Sequence, residues 1–310
     1  MPHPKQLDVF AVIRSTGERT TQLTQQLLNE QLTENQVAII HEKPFRRALE
    51  RTYEIGIEKN YRWTLAVDAD VLPALYAIQQ LIEYAEQETD SLFQIKGQLW
   101  DKLFGGPRLV GMHLYQTCHL KQALECIDRS DQVHRPEFHV IESMNRMGFH
   151  EVRKQAILGL HDFEQYYFDY YRKGFVHAQK HGDAISLLHN YWTRMATVDD
   201  DFKCALAGFN DGIEQGGIAK TDVRYFEDRA RDFLNSFRLK EKPELEIEMT
   251  AEQISDLISH MRVSREFKAW NRSLSFQKMK SRILCAIVPW IPQVFRKTIK
   301  SCLGMKTSRS

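Results

Sequence analysis

The sequence predicts an α/β protein in which helices flank a mostly parallel sheet and a helical C-terminal extension follows. Three apolar segments, at 7–13, 36–40 and 63–67, have the length and the β-branched and aromatic content of buried strands. Segments with a helical spacing of apolar residues separate them, and this alternation is typical of a parallel sheet covered by helices. After residue 162 the strand pattern gives way to helical periodicity.

The elements can be assigned in chain order. The leucine spacing predicts a helix at 20–32 after the first strand, and a second helix at 45–59 leads into the third strand. The strands should end at one sheet edge, where open α/β sheets bind ligands. No glycine-rich phosphate loop follows the first strand, which excludes the Walker and dinucleotide-binding fingerprints. Helices are also predicted at 163–173, 183–195 and 222–237, with a break at 208–217.

The third strand ends in two carboxylates one residue apart. Asp68 and Asp70 follow the apolar run 63–67, and residues i and i+2 of a strand point the same way. Two such carboxylates at the carboxyl end of a strand suit a hard divalent cation, and the cation suits a diphosphate. The alternative is a pair of solvated turn aspartates before a helix that has Pro73 in its first turn.

Composition is that of a soluble globular protein, with 43% apolar residues, 27% charged residues and a formal net charge of +1. The five cysteines show no CxxC and no zinc-like pairing, which is typical of free thiols in a reducing compartment. The N-terminus lacks a secretory signal pattern, and no apolar run reaches transmembrane length. We therefore expect a cytoplasmic protein.

The C-terminal segment is strongly basic. From Met261 onward there are twelve Lys/Arg and one acidic residue, against thirty Lys/Arg and forty Asp/Glu before it. Its apolar block at 283–295 is interrupted by Pro289 and Pro292 and lies between basic clusters, a pattern that favours the surface of an anionic membrane, here the inner face of the cell membrane. The alternative is a helix packed on the body or on a dimer partner. Nucleic acid is not expected, because the basic residues bracket an apolar block.

Several further motifs occur in order. They are Gly105-Gly106-Pro107-Arg108, the strand-like 109–115, the helix-like 136–149 beginning Pro136-Glu137, and 158–162 ending His161-Asp162. With 61–72, they make residues 7 to about 163 resemble a nucleotide-diphospho-sugar glycosyltransferase of the GT-A type, closest in pattern to family 2. In this resemblance 61–72 corresponds to the strand ending in Asp-x-Asp, 105–115 to the loop and strand lining the sugar pocket, and 136–149 to the Glu-Asp motif. Pro136 and Glu137 depart from the usual Glu and Asp of that motif.

The resemblance implies a metal-dependent, inverting transfer of a sugar from a nucleotide-diphospho-sugar to an acceptor hydroxyl, with Mn²⁺ or Mg²⁺, in surface-polysaccharide or glycolipid assembly. It implies that Asp70 binds the metal directly, that Asp68 contacts the ribose or reaches the metal through water, and that His161 completes the metal site. The residues it implies in binding the nucleotide-sugar are Arg14, Ser15, Arg19, Glu42, Asp68, Gly106 and Arg108.

Glu137 is the candidate catalytic base, because an inverting transfer needs a carboxylate within hydrogen-bond reach of the acceptor hydroxyl. The alternative is a glutamate that the helix dipole favours behind Pro136. His161 has an alternative too, as a strand-end histidine hydrogen-bonded to Asp162. For the loop residues Arg14, Ser15, Arg19 and Glu42 the alternative is simple solvation.

The expected organisation is a catalytic domain at 1–163, a helical extension at 164–240 packed on it, and a basic helical tail at 241–310. Two other functions remain open. One is a non-catalytic GT-A-like binding or scaffold protein, since the Glu-Asp motif is altered. The other is a phosphatase of the haloacid-dehalogenase type, because Asp68-Ala69-Asp70-Val71 fits its nucleophile motif and 199–201 its late acidic motif. The two strand–helix units before Asp68 argue against the phosphatase.

Overall fold

The computed structural model describes residues 7–128, 136–180, 185–216, 223–246 and 248–273. The chain divides into two units, Met1–Ser264 and Arg265–Ser310. In the second unit, the described residues 265–273 form a helix, on which the rings of Phe267 and Trp270 meet edge to face at 5.6 Å. The apolar block at 283–295 lies outside the described residues, and the predicted limits at 163 and 240 stay predictions.

The first unit contains a mixed sheet of strand order β2-β1-β3-β7-β5-β8-β4, with β6 paired to β5. Its described strands are β1 (Val9–Arg14), β2 (Val37–Ile40), β3 (Trp63–Asp68), β4 (Val71–Pro73), β5 (Leu92–Asp101), β6 (Gly106–Arg108), β7 (Met112–Gln116) and β8 (His150–His161). The predicted α/β class is confirmed, and β1 to β3 are parallel as predicted.

The rest of the sheet contains more antiparallel strand pairs than we predicted, since we expected a mostly parallel sheet. The connection between β5 and β6 is only 102–105, which is long enough for a hairpin but too short for the crossover that a parallel pair needs. The hairpin continues into β7, which therefore lies antiparallel between β3 and β5. Strand β8, reached through two helices, returns parallel to β5.

The described helices of the first unit are α1 (Thr21–Asn29), α2 (Phe45–Lys59), α3 (Ala77–Ala85), α4 (Leu120–Glu125), α5 (Pro136–Arg146), α6 (Tyr167–Lys180), α7 (Ile185–Met195), α8 (Asp200–Gln215), α9 (Glu227–Ser236) and α10 (Ala251–His260). Alternate strand residues bury opposite faces of the sheet. Leu65 and Leu114 face a core shared with α1 and α3, whereas Ala66 and Tyr115 face a core shared with α2, α4 and α5.

Helices α6 and α8 pack against each other through glycines. A Cβ atom at Gly208 would overlap the carbonyl oxygen of Tyr171, and one at Gly174 would overlap that of Ala205. The predicted break at 208–217 is therefore wrong over 208–215, where α8 continues through Gly208 to Gln215 and ends at Gly216. The glycines permit a close helix contact that outweighs their low helix propensity.

Among the described residues, no helix combines the length and the apolar character needed to cross a membrane.

Candidate functional site

The candidate site lies where β3, β5 and β8 end. After Asp68 the chain turns through Ala69 and Asp70 into β4, which pairs antiparallel with the end of β8, so that Val71 lies opposite His161. Asp101, the last residue of β5, also lies opposite His161. The topology thus brings three separate strand ends, each with a polar side chain, to one edge of the sheet.

Two buried threonines at the start of α1 hold the turn between β3 and β4. The Thr20 hydroxyl donates a hydrogen bond to the Ala69 carbonyl at 2.7 Å, and the Thr24 hydroxyl donates to the Val71 carbonyl at 2.8 Å. These bonds satisfy buried backbone oxygens that the short β4 leaves unpaired. They fix the position from which Asp70 projects.

Asp70, His161 and Asp162 form a group with the chemistry of a divalent-cation site. One possible ligand atom from each lies within 4.8 Å of the others. Asp70 Oδ1 is buried with no hydrogen-bond partner among the described residues, and it faces His161 Nε2 at 3.6 Å. A buried carboxylate oxygen without a donor and an imidazole nitrogen aimed at it fit the ligands of Mn²⁺ or Mg²⁺.

Asp101 fixes the orientation of the His161 ring. Its Oδ2 lies 3.1 Å from His161 Nδ1 and accepts a hydrogen bond from the Arg108 guanidinium at 2.7 Å. A carboxylate on one ring nitrogen is the usual way in which a protein directs the other nitrogen to a metal. Arg108, predicted to bind the nucleotide-sugar, contacts Asp101 and lies 3.6 Å from the centre of the Phe104 ring.

Lys173, on α6, reaches into the same group. Its ammonium donates to Asp70 Oδ2 at 2.6 Å and also to Asp162 Oδ1. Burial alone would raise the pKa of Asp70, but the charges of Lys173 and His161 lower it well below its usual range. Burial alone would lower the pKa of His161, but Asp162, Asp70 and Asp101 raise it to about 9. The negative charges of Asp70 and Asp162 are therefore offset within the group by the positive charges of Lys173 and His161.

Sequence reasoning named Asp162 only as a possible hydrogen-bond partner of His161, and it did not single out Lys173. Asp162 adopts a left-handed backbone conformation, with φ of 65°, which aspartate tolerates better than most residues. The Tyr170 hydroxyl donates to its carbonyl at 2.7 Å and holds this turn. The Asp162 side chain was visible in the sequence beside His161, but Lys173 lies 103 residues from Asp70 with no local signal.

Arg14 joins Asp68 to Glu137. Its Nε donates to Asp68 Oδ1 at 2.8 Å, and its Nη1 lies 3.5 Å from Glu137 Oε1. Asp68 is outside the group formed by Asp70, His161 and Asp162, and its side chain is 31% exposed. Its role as a metal or ribose ligand stays a prediction. Arg14 is nearly buried, beneath the Phe45 ring.

Glu137, in the first turn of α5, is surrounded by groups that keep it ionised. The Tyr115 hydroxyl donates to Oε1 at 2.6 Å, and His113 Nε2 lies 3.6 Å from Oε2. Burial alone would raise the pKa of Glu137, but His113 and Arg14 lower it to about 2. His113 and Tyr115 alternate along β7, so their common face was readable from the sequence once that strand was assigned.

The other predicted binding residues occupy varied surroundings. Ser15 is buried, with its hydroxyl 3.1 Å from Glu18 Oε2, and the Arg19 guanidinium donates to the carbonyls of Pro243 and Glu164. Gly106 lies opposite Asp101 in the β5–β6 pair. Glu42 is exposed just beyond β2. Their contacts with a nucleotide-sugar stay predictions.

The acidic run 199–201 lies at the start of α8. Asp199 accepts a hydrogen bond from the Asp201 backbone at 2.9 Å and so caps the helix. Both aspartates pair with Lys102, and Asp201 also pairs with Lys242 at 2.6 Å. This arrangement explains the run as a helix start and an ion-pair network, without the phosphatase chemistry.

No protein-family model matches this chain, and no curated protein sequence matches it significantly. Among solved structures, a mannosyltransferase from Pyrobaculum calidifontis in complex with GDP-Man and Mn²⁺ covers 87% of this chain and 85% of its own, at 10% identity and a TM-score of 0.40. A glycosyltransferase involved in glycosylation of the PBCV-1 major capsid covers 49% and 93%, at 11% identity and a TM-score of 0.37. A cytidylyltransferase from Leptospira borgpetersenii covers 51% and 84%, at 12% identity and a TM-score of 0.37. Similarities of this strength assign neither a family nor an activity.

Proposed function

We propose that this protein is a metal-dependent glycosyltransferase that moves a sugar from a nucleotide-diphospho-sugar to an acceptor hydroxyl. The observation that supports it is the group at the strand ends, where buried Asp70 Oδ1 lacks a donor and faces His161 Nε2. Asp70, His161 and Asp162 would hold Mn²⁺ or Mg²⁺. When bound, the cation supplies Lewis-acid stabilisation of the negative charge that develops on the departing diphosphate.

The residues around this group position the donor. Arg108 donates a hydrogen bond to Asp101, and Asp101 contacts His161 Nδ1, so that both residues fix the orientation of the His161 ring. The partly exposed Asp68, fixed by Arg14, would bind the ribose. The remaining predicted binding residues would contact the nucleotide-sugar as well, and they are Ser15 and Arg19 after β1, Glu42 after β2 and Gly106 at the start of β6.

Glu137 is the proposed base. Its Oε2 would take the proton of the acceptor hydroxyl while the acceptor oxygen bonds to the anomeric carbon and the bond from that carbon to the diphosphate breaks. This displacement inverts the anomeric centre. Its pKa of about 2 keeps Glu137 ionised at neutral pH, as a base must be, although a carboxylate with so low a pKa is a weak proton acceptor. Arg14 links it to Asp68 at the donor side.

The acceptor is proposed to be a sugar or glycolipid in surface-polysaccharide assembly, met at the inner face of the cell membrane through the basic tail. The support is the charge pattern from Met261 onward, with twelve Lys/Arg and one acidic residue.

Release of the nucleoside diphosphate tests the proposed activity. Full-length protein is incubated with UDP- and GDP-sugars, Mn²⁺ and a panel of sugar acceptors. We expect release from one donor class, a loss of at least about 100-fold in Asp70→Asn as expected for an essential charge stabiliser, and no loss in the exposed control Asp256→Asn. Equal rates in Asp70→Asn and wild type would contradict the assignment of the site.

A non-catalytic binding protein is the second candidate, because Glu137 already has three partners in Arg14, His113 and Tyr115. Nucleotide binding without transfer or donor hydrolysis across the panel would favour it. Release of phosphate from aryl phosphates would instead favour the phosphatase.

A further inference from the structure

The ammonium of Lys173 occupies part of the group that would bind the divalent cation. It donates to Asp70 Oδ2 at 2.6 Å and to Asp162 Oδ1. The side chain is 13% exposed and extends from α6, one turn after Tyr170, whose hydroxyl holds the Asp162 carbonyl. The helix therefore places this ammonium against two of the three proposed ligands.

The Lys173 ammonium offsets the negative charge of these carboxylates, as a bound divalent cation would. Buried carboxylates must be compensated by a nearby opposite charge, and Lys173 supplies that compensation to both Asp70 and Asp162. His161 also faces both carboxylates, at 3.6 and 3.3 Å, whereas the two neighbouring arginines have other partners. Arg108 pairs with Asp101 and Arg172 with Asp169.

A divalent cation bound by Asp70, His161 and Asp162 would lie beside the Lys173 ammonium. Two positive charges a few ångströms apart in a buried site repel strongly. The lone pairs of Asp70 Oδ2 and Asp162 Oδ1 that accept from the ammonium are also not available to the cation. Asp70 Oδ1 has no hydrogen-bond donor among the described residues, so Lys173 occupies only part of the group.

We propose that Lys173 is an internal counter-cation that competes with the divalent cation for Asp70 and Asp162. The cation enters fully only when the ammonium moves away from the two carboxylates. This inference rests on the proposed function, since it takes the group to be the cation site of the donor.

Mn²⁺ binding to the full chain, measured by the electron paramagnetic resonance of free Mn²⁺, tests the competition without any activity assay. We expect Lys173→Met to bind Mn²⁺ at least about tenfold more tightly than wild type, equivalent to about 1.4 kcal/mol. Lys173→Arg, which keeps the charge, should bind like wild type. The gain should vanish in the double variant Lys173→Met with Asp70→Asn.

Lys102→Met is the matched control. Lys102 is also a largely buried lysine paired with two aspartates, Asp199 and Asp201, outside the candidate site. Its removal should leave the high-affinity Mn²⁺ site unchanged. If Lys173→Met does not fold by circular dichroism, Lys173→Gln removes the same charge and carries the same expectation.

The outcomes separate the inference from the proposed function. Equal or weaker Mn²⁺ binding in Lys173→Met, with binding still dependent on Asp70, overturns the competition and leaves the metal site standing. A gain that persists with Asp70→Asn, or that Lys102→Met reproduces, overturns the competition as well. No Mn²⁺ binding by any variant overturns both the competition and the metal dependence of the proposed transferase.

Discussion

At the scale of single residues, the site is defined by how each buried carboxylate is compensated. Asp101 is paired with Arg108 and His161, and Glu137 with Arg14, His113 and Tyr115. Asp70 differs, because one of its oxygens binds Lys173 while the other has no donor among the described residues. This oxygen faces His161 Nε2 at 3.6 Å, beyond hydrogen-bond distance, and in the proposed function it is a ligand of the divalent cation.

Glu137→Gln should reduce sugar transfer by at least about 100-fold, the usual contribution of a general base. Glutamine keeps the shape and can still accept from the Tyr115 hydroxyl, but it cannot take the acceptor proton. Initial rates with the best acceptor measure the effect, and thermal unfolding checks the fold. Glu142→Gln, on the exposed side of the same helix, is the control and should be unaffected. Unchanged turnover in Glu137→Gln would remove the base assignment.

We expect the protein to lose stability in mild acid because of the buried His113. Burial lowers its pKa from 6.5 to about 4, against the opposing effect of Glu137. Between these values the unfolded chain binds a proton that the folded chain does not, so the free energy of unfolding should fall as the pH is lowered through this range. At about 1.4 kcal/mol per pKa unit, this lowering of the pKa from 6.5 to about 4 contributes at most about 3.5 kcal/mol.

Urea unfolding at several pH values between about pH 7 and pH 4 measures this contribution. His113→Gln should show a flatter pH dependence than wild type, whereas replacement of the exposed His260 by glutamine should not. Parallel curves for wild type and His113→Gln would show that His113 has the same pKa in the folded and unfolded chains, and would contradict this prediction.

At the scale of elements, the contact between α6 and α8 places Lys173. Gly174 follows Lys173 directly, and its lack of a side chain lets α8 approach at Ala205. Gly208 plays the same part from the other helix, against Tyr171. The position of the Lys173 ammonium therefore depends on α6, whose own position is set by close backbone packing against α8.

Gly208→Ala should lower the free energy of unfolding by about 1–3 kcal/mol, the usual cost of overpacking. In an isolated helix the same change would stabilise, so the sign identifies the tertiary contact. Urea unfolding measures it, with Asn210→Ala on the exposed side of α8 as the control. A stabilised Gly208→Ala variant would contradict the packing described for this pair of helices.

How far the elements could be read from the sequence depends on the range of the interactions. Helix α2 spans the predicted Phe45–Lys59, and the strand ending at Asp68 was evident from one apolar run. The strand at 109–115 was anticipated as β7, but its antiparallel pairing was not, because that pairing depends on the preceding hairpin. The glycines of α8 resembled a break because their neighbours lie on α6, more than thirty residues away.

The same reasoning applies to the site. Asp70 and His161 could be anticipated because each stands at a strand end, and the structure places them in one group. Arg14 was predicted only to bind the nucleotide-sugar, and its place beside Asp68 follows from the register of the adjacent parallel strands β1 and β3. Lys173 could not be anticipated, since a lysine on a helix of the extension has no local feature that distinguishes it from a solvated one.

At the scale of the whole molecule, an acidic body precedes a basic C-terminal segment. The first 260 residues carry forty Asp/Glu against thirty Lys/Arg, and the sign reverses after them. The sheet and α1–α10 belong to the first unit, which ends at Ser264. Most of the basic segment lies in the second unit, Arg265–Ser310. Its proposed role is attachment to anionic lipid.

Co-sedimentation with liposomes tests that role. The full chain should bind vesicles containing anionic lipid more strongly than a chain ending at Lys280, and binding should weaken with salt, because each basic residue near such a surface contributes about 1 kcal/mol. Vesicles of neutral lipid are the control. Equal binding by the two chains would exclude the segment after Lys280 as the anchor.

Thermal unfolding with nucleotides tests the central claim, that the carboxyl ends of β3, β5 and β8 bind a diphosphate with a divalent cation. Wild type and Asp70→Asn are heated with UDP, GDP or CMP, each with and without Mn²⁺, and CMP serves as the monophosphate comparison. A ligand at a hundred times its dissociation constant stabilises by about 2.7 kcal/mol. We predict a Mn²⁺-dependent rise in Tm with one nucleoside diphosphate that is lost in Asp70→Asn. No rise with any nucleotide, or an equal rise in the variant, would contradict the account.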